Sequence, residues 1–353
     1  MDPTALMPVP DAIPVGWGWF EGLNILTFVA HIIMVNILLG GGLLAAWLAL
    51  ADRHDPLARA VANKLPTTFA LAVNFGVAPL LFLQVLYGHL FYTSAVLSAV
   101  WWLSVIVLLI AGYYALYIHQ HRQKAEHPGS PVFLVFGLGM VLCISLVLTS
   151  VLATMETPFN WTEYFTNPQG TILTFFKATT VPRYLHFLLA SVALGGLFAA
   201  LVADRPGQLP LWAAEQGRAL GMKVFTSATL VQMAVGLWWL MALPRGILLQ
   251  FMGGDLLASG LLLAGVASTI PLLLAGFAGR PRSATLWVVV TVSLMVVARA
   301  VLRNLSLAPY FSPRHLTVTG EVSPLVLFLV SLGLGLIAVG YMLRLAVGPS
   351  REG

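Results

Sequence analysis

Nine long apolar stretches constrain the fold of this chain more than any other feature of its sequence. Each is long enough to cross about 30 Å of hydrocarbon as an α-helix, which takes roughly 20 residues. Of the 353 residues, 59% are hydrophobic and only 9% are charged, a balance typical of helical membrane proteins and not of soluble domains. The sequence therefore predicts an all-α, polytopic membrane protein forming a single transmembrane domain over residues 1–353. The nine spans are expected at about 23–51, 66–91, 95–118, 132–155, 182–203, 219–243, 255–278, 284–303 and 324–345.

The basic residues predict how the chain is oriented. With the N-terminus outside, twelve Lys and Arg residues fall on the inner side of the membrane and six on the outer side. The positive-inside rule then favours an outer N-terminus and an inner C-terminus. The same asymmetry accounts for the net charge of +5, so no nucleic-acid partner is expected. The segment before the first span lacks basic residues, which argues against a signal peptide or a mitochondrial transit peptide.

Histidines within the apolar spans are the candidate ligand residues. His31 lies about nine residues into the first span, roughly 13 Å deep, His89 lies near the end of the second span, and His186 opens the fifth. An imidazole in hydrocarbon costs free energy unless it is hydrogen-bonded or ligated. Two interpretations stay open, a hydrogen bond to a neighbouring helix or axial ligation of heme iron. Because Cys143 is the single cysteine, a heme would be held without covalent thioether links.

The segment 157–204 carries a resemblance to a known family. It contains Trp161, Phe165 and Asn167-Pro168, followed by a basic residue just before an aromatic-His helix rich in small residues. This order resembles the loop and fifth helix of the large subunit of cytochrome bd quinol oxidases. The resemblance covers the first six predicted helices.

The resemblance implies a set of heme ligands. It is carried by residues 1–243 and is weaker over 244–353. By analogy with the family, His186 is expected to ligate a low-spin b heme and His31 a high-spin b heme. The family's methionine ligand is expected at the outer end of the seventh helix, where Met252 is the nearest candidate.

Further residues are candidates for ligands or for contacts with heme carboxylates. His89 is a possible extra ligand without a family counterpart, and Met155 is a possible thioether ligand, since low-spin hemes accept His/Met pairs. Four cations near the outer ends of the spans are candidate partners of heme propionates, with lipid headgroups as the alternative partner. These cations are Lys177, Arg183, Arg299 and Arg303.

Two departures from the family shape the functional prediction. The predicted third span, residues 95–118, has no Asp or Glu to serve as a proton donor at an oxygen-reducing heme, and residues 244–255 are too short for the family's long quinol-binding loop. The leading hypothesis is therefore a protein of the bacterial inner membrane with more than one heme b. It would pass electrons between membrane quinone and an extracytoplasmic redox partner such as a c-type cytochrome, without reducing oxygen itself.

Two other functions stay open. One is a divergent terminal quinol:O2 oxidase with a second subunit. The other is a heme-free solute or ion transporter in which Asn74, Pro79 and the glycines at 40–42 line a path, although these glycines also suit close helix packing. No internal repeat is evident on inspection of the sequence, which argues against the transporter.

Overall fold

Long helices make up most of the protein in the computed structural model, which describes residues 6–124 and 130–347. In order they are α1 (Trp17–Ala51), the short α2 (Pro56–Ala62), α3 (Leu65–Leu97), α4 (Ala99–Lys124), α5 (Val132–Glu156), α6 (Thr180–Ala203), α7 (Leu211–Ala242), the short α8 (Arg245–Leu249), α9 (Leu256–Phe277), α10 (Pro281–Leu307) and α11 (Ser323–Val347). Short 3-10 helices cover Pro158–Phe165 and Pro313–His315, and a π-helical turn covers Gln250–Gly254.

The all-α, multi-pass prediction is confirmed within the described residues. Eight helices are long and apolar enough to cross a membrane, with α2 and α3 counted as one span, and they coincide with the first eight predicted spans. The ninth predicted span coincides with α11, Ser323–Val347. The count of nine crossings and the side on which each terminus lies stay predictions.

Local sequence signals explain where several helices begin. Asp55 precedes Pro56, and its carboxylate accepts a hydrogen bond from the Ala58 backbone N–H at 2.7 Å, so an acidic N-cap and a proline in the first turn start α2. Asp255 caps α9 in the same way, accepting from the Ala258 N–H at 2.7 Å. Both helices therefore begin at an aspartate whose carboxylate accepts a hydrogen bond from a free N–H group of the first turn.

The helices run between two faces of the bundle. We call the end at which α1 begins the N-terminal face, and the opposite end the far face. On the N-terminal face, the Ile13 N–H donates to the Thr317 carbonyl at 2.8 Å, which ties the segment before α1 to the segment after α10. On the far face, Lys64 Nζ donates to Gln208 Oε1 at 3.1 Å, which joins the start of α3 to the loop before α7. Residues far apart in sequence are thus gathered at each end.

Helix packing divides the bundle into two groups of four long helices. Four helices form a row in the order α3, α1, α6, α7, in which α1 and α6 contact each other at the centre. The helices α4 and α5 pack together and lie against α1 and α3. The helices α9 and α10 pack together and lie against α6 and α7. In each group, α1-α3-α4-α5 and α6-α7-α9-α10, the first two helices in the chain pack together and so do the last two, whereas α3 also contacts α5.

Glycines bring the two central helices into close contact. A Cβ atom on Gly40 would lie 1.6 Å from the Ser191 carbonyl oxygen, and one on Gly195 would lie 2.1 Å from the Gly40 carbonyl carbon. Beside them, the Ser191 hydroxyl donates to Asn36 Oδ1 at 2.8 Å. Only glycine allows this backbone approach, so the predicted close-packing role of the first-helix glycines is confirmed.

Candidate functional site

His31 on α1 is fixed against α3. Its Nδ1 lies 2.8 Å from the Ala72 carbonyl oxygen. Since a carbonyl oxygen accepts, Nδ1 carries the proton and Nε2 carries the lone pair. The ring lies over Gly76, where a Cβ would come within 2.8 Å of the imidazole Cε1. The side chain is half-buried and contacts Phe28, with ring centroids 6.0 Å apart.

His186 on α6 is fixed against α7 in the same manner. Its Nδ1 lies 3.2 Å from the Gln232 carbonyl oxygen, and a Cβ on Gly236 would lie 3.0 Å from its Cε1. Here the Gln232 side-chain amide also approaches, with its Nε2 3.4 Å from the His186 Nε2. An amide nitrogen donates, so this contact again requires an unprotonated His186 Nε2.

The two hydrogen bonds bear on both interpretations of these histidines, a bond to a neighbouring helix and ligation of heme iron. Each imidazole has a helix-to-helix hydrogen bond, as one interpretation expected, but the bond uses Nδ1 only. Metal-bound histidines in proteins almost always donate one ring N–H to a carbonyl or carboxylate and ligate through the other nitrogen. The donor set of His31 and His186 therefore fits an axial ligand of heme iron.

Other kinds of metal site are not found in the described part of the chain. Among residues 6–124 and 130–347, no group of three or more His, Cys, Asp or Glu side chains is positioned to hold a metal ion. A heme requires only one or two axial side chains, because the macrocycle supplies four nitrogens.

The two histidine sites share a local pattern of residues and contacts. His31 precedes the Gly40-Gly41 pair by nine residues, and His186 precedes Gly195-Gly196 by nine. In both sites the carbonyl that accepts from Nδ1 lies four residues before the glycine under the ring. Most other positions of these helices carry interchangeable apolar residues, so the shared geometry becomes visible only in the contacts between helices.

The remaining candidate ligands lie in different surroundings. His89, near the end of α3, packs its ring edge-on against Phe311 at 4.4 Å between centroids. Met155 is 0% exposed, in a core with Tyr87 and other apolar side chains on the N-terminal side of the bundle. Met252 is 65% exposed, in the π-helical turn before α9. The ligand roles of both methionines stay predictions.

Three of the four candidate cations meet in a buried ion cluster at the N-terminal face. Glu156, at the end of α5, accepts hydrogen bonds from Arg183 Nη1 at 2.9 Å and from Arg299 Nη2. Arg303 Nη2 donates to Glu21 Oε1 on α1 at 2.8 Å. These five side chains are 10–20% exposed. We call them the ion cluster; it joins α1, α5, α6 and α10.

The ion cluster has one more positive than negative charge, and some of its donors are free. Arg303 also lies over the Tyr87 ring, 4.6 Å from the centroid. Among the residues that the structure describes, Arg299 Nη1, Arg303 Nε and Glu21 Oε2 are buried without a hydrogen-bond partner. An anionic group would complete these donors. Lys177, the fourth predicted cation, is exposed in the loop before α6.

Sequence reasoning did not single out the partners of these residues. Gly76, Gly236 and Gln232 are ordinary residues of membrane helices, and only their contacts reveal their role. Glu21 and Glu156 gave a usable signal, because two acids at the ends of apolar spans need positive partners that the adjacent sequence does not supply. A search for complementary charges on other spans would have pointed to Arg299 and Arg303.

Comparison of the chain with protein-family models, with curated proteins and with solved structures finds no match.

Proposed function

We propose that this chain is a b-type cytochrome of the bacterial inner membrane, resembling the large subunit of cytochrome bd oxidases. It passes electrons between membrane quinone and an extracytoplasmic partner such as a c-type cytochrome. The observation that carries the proposal is the pair of backbone-anchored imidazoles, His31 and His186, each with an unprotonated Nε2 inside an apolar helix bundle.

The protein residues have defined roles in this proposal. His31 and His186 ligate iron through Nε2, while the Ala72 and Gln232 carbonyls hold the rings in the ligating tautomer. A b heme supplies a one-electron carrier that the polypeptide lacks. Non-covalent attachment is consistent with the lone Cys143, because covalent c-type attachment uses a C-x-x-C-H sequence.

The arginines of the ion cluster suit a cofactor that carries carboxylate groups along one edge. Heme b carries two propionate carboxylates, and arginine pairs with carboxylates through charge-assisted hydrogen bonds. Arg299 and Arg303 each keep a buried donor atom that their glutamate partners do not use. The excess positive charge of the cluster would also stabilise a reduced cofactor nearby relative to an oxidised one.

The side of the membrane follows from the charge distribution. The ion cluster lies at the N-terminal face, and both histidines lie in the halves of α1 and α6 nearer to that face. The positive-inside rule favours a position of this face outside the cytoplasm. A cofactor there is within reach of an extracytoplasmic redox partner, and quinone can approach it laterally from the bilayer.

A difference spectrum of the purified protein tests the proposal. We expect reduced-minus-oxidised absorption bands of b type, lost when His31 and His186 are both replaced by alanine and kept in a His54→Ala control, which changes an exposed loop histidine. In proteoliposomes the wild-type protein should reduce an added c-type cytochrome at the expense of quinol. A purified, folded protein without b-type bands would disprove the proposal.

A transporter is the second candidate, because the two histidine sites share a pattern of residues and contacts. Parallel repeats related by an axis along the membrane normal occur in several transporter folds, where substrate binds at the repeat interface. Here that interface is filled by the contact of Gly40 with Gly195 and by the Asn36–Ser191 hydrogen bond. A heme-free protein that carries solute across proteoliposomes would establish this alternative.

A further inference from the structure

We infer that the far face carries a binding site for an anionic phospholipid with a hydroxylated head group, of the phosphatidylglycerol type. The site lies where α6 ends and where α7 and α10 each present an arginine. It is separate from the histidine sites and from the ion cluster, which lie towards the N-terminal face. It holds one lipid molecule at the boundary between hydrocarbon and water.

Two arginines from different helices converge on one carboxylate at this site. On α7, Arg218 Nη1 lies 3.8 Å from Asp204 Oδ1, and on α10, Arg282 Nη2 lies 3.6 Å from Asp204 Oδ2. Asp204 is the residue that follows α6. Both distances are longer than a hydrogen bond, so the carboxylate keeps the two guanidinium groups together without using their N–H donors.

Both guanidinium groups are open to a ligand. The side chain of Arg218 is 51% exposed and that of Arg282 is 87% exposed, whereas the carboxylate between them is 27% exposed. Arginine binds phosphate through parallel charge-assisted hydrogen bonds, which its planar group presents in a fixed geometry. Because both arginines reach the same carboxylate, a single phosphodiester can bridge them.

The local charge favours an anion over a zwitterion. The charged residues at or within three positions of these side chains are four arginines and two acids, namely Arg205, Arg218, Arg280, Arg282, Asp204 and Glu215. An anionic head group compensates part of this excess positive charge, and a zwitterionic one leaves it unchanged. The Asp204 carboxylate, next to the bridged phosphate, accepts hydrogen bonds from head-group hydroxyls.

Apolar side chains beside the arginines favour a lipid over a soluble phosphate. Leu286, one turn after Arg282 on α10, is 63% exposed, and Phe277, the last residue of α9, is 70% exposed. A lipid whose phosphate binds the arginines places its acyl chains along these side chains, and free phosphate lacks that contact. Basic sites between membrane helices bind anionic head groups in this way. The bound lipid ties α7 to α10 across the end of α6.

Titration of the delipidated protein with lipid tests the site. We expect phosphatidylglycerol, added to the full chain in neutral-detergent micelles, to bind as one tightly held molecule, counted by native mass spectrometry. Arg218→Gln and Arg282→Gln should each weaken this binding by roughly fivefold, the contribution of one arginine near an anionic head group. Arg53→Gln, which removes an exposed cation after α1 on the same face, is the matched control and should leave the binding unchanged.

The outcomes separate a specific site from general attraction to the far face. Equal weakening in all three variants would overturn the inference, because only the total charge of that face would then matter. Displacement of the lipid by inorganic phosphate or glycerophosphoglycerol at equal concentration would overturn the assignment of a lipid as the ligand. None of these measurements uses heme, so their failure leaves the proposed function intact.

The preference between head groups tests the role of Asp204. The wild-type protein should bind phosphatidylglycerol more tightly than phosphatidylethanolamine, which has no net charge, and than phosphatidic acid, which has no hydroxylated head group. Asp204→Ala should narrow the preference over phosphatidic acid, because the acceptor of the hydroxyl groups is removed. An unchanged preference in this variant would overturn the role of Asp204, and equally tight binding of phosphatidylethanolamine to the wild-type protein would overturn the site.

Discussion

Replacing Glu156 with glutamine should destabilise the protein more than any other single charge change at the N-terminal face. Its carboxylate, 10% exposed, is shared by Arg183 and Arg299. At the 2.9 Å separation from Arg183, one ion pair has a gross attraction of about 6 kcal/mol at an effective dielectric constant of 20. Glutamine keeps the shape of the side chain but removes the charge, and it turns an amide group towards a guanidinium.

The net loss in the free energy of unfolding depends on the two arginines that remain buried, Arg183 and Arg299. Removing one partner of a buried ion pair typically costs about 3–5 kcal/mol, because the other charge stays buried without compensation. We expect Glu156→Gln to lower the free energy of unfolding by about that amount, measured by reversible denaturation in mixed micelles. Glu163→Gln, in the adjacent 3-10 helix and exposed, is the control and should stay within about 0.5 kcal/mol of wild type. A Glu156→Gln loss no larger than the control's would refute the reasoning.

Two further stability predictions use the same denaturation measurement. Gly40→Ala should destabilise the protein by about 1–3 kcal/mol or more, since its Cβ would lie 1.6 Å from the Ser191 carbonyl oxygen; Gly139→Ala, in open space, should be neutral or slightly stabilising, and equal effects would contradict the packing of α1 on α6. Met155→Ala should cost about 2–5 kcal/mol because the side chain is fully buried, whereas Met252→Ala should change stability by less than about 0.5 kcal/mol. A large effect of the Met252 change would show that this exposed side chain has a partner.

The fold class was predictable because it depends on local composition. A run of about 20 apolar residues has few stable states other than a membrane helix, whatever surrounds it. Eight predicted spans coincide with helices for this reason. Helix ends were less accurate, since α1 begins at Trp17, before its apolar core, and α3 continues to Leu97 through a non-helical residue at Tyr87.

The candidate site was predictable only in part. His31 and His186 were found because an imidazole in an apolar helix is conspicuous. Their surroundings depend on which helices are neighbours, and sequence spacing does not encode that. The partners of Glu156 illustrate the difficulty, because Arg183 and Arg299 lie 27 and 143 positions further along the chain.

The parallel bridge between Ile13 and Val318 has a consequence for biosynthesis. Ile13 donates to the Thr317 carbonyl and accepts from the Thr319 N–H, so the strip of chain ahead of the first helix is held by residues made some three hundred positions later. A ribosome that has delivered the first seven crossings has not yet translated the partner of this strip. The strip ahead of α1 stays unattached until the eight long helices that precede residue 317 have been made, and a nascent chain truncated before residue 317 should leave this strip open to added protease.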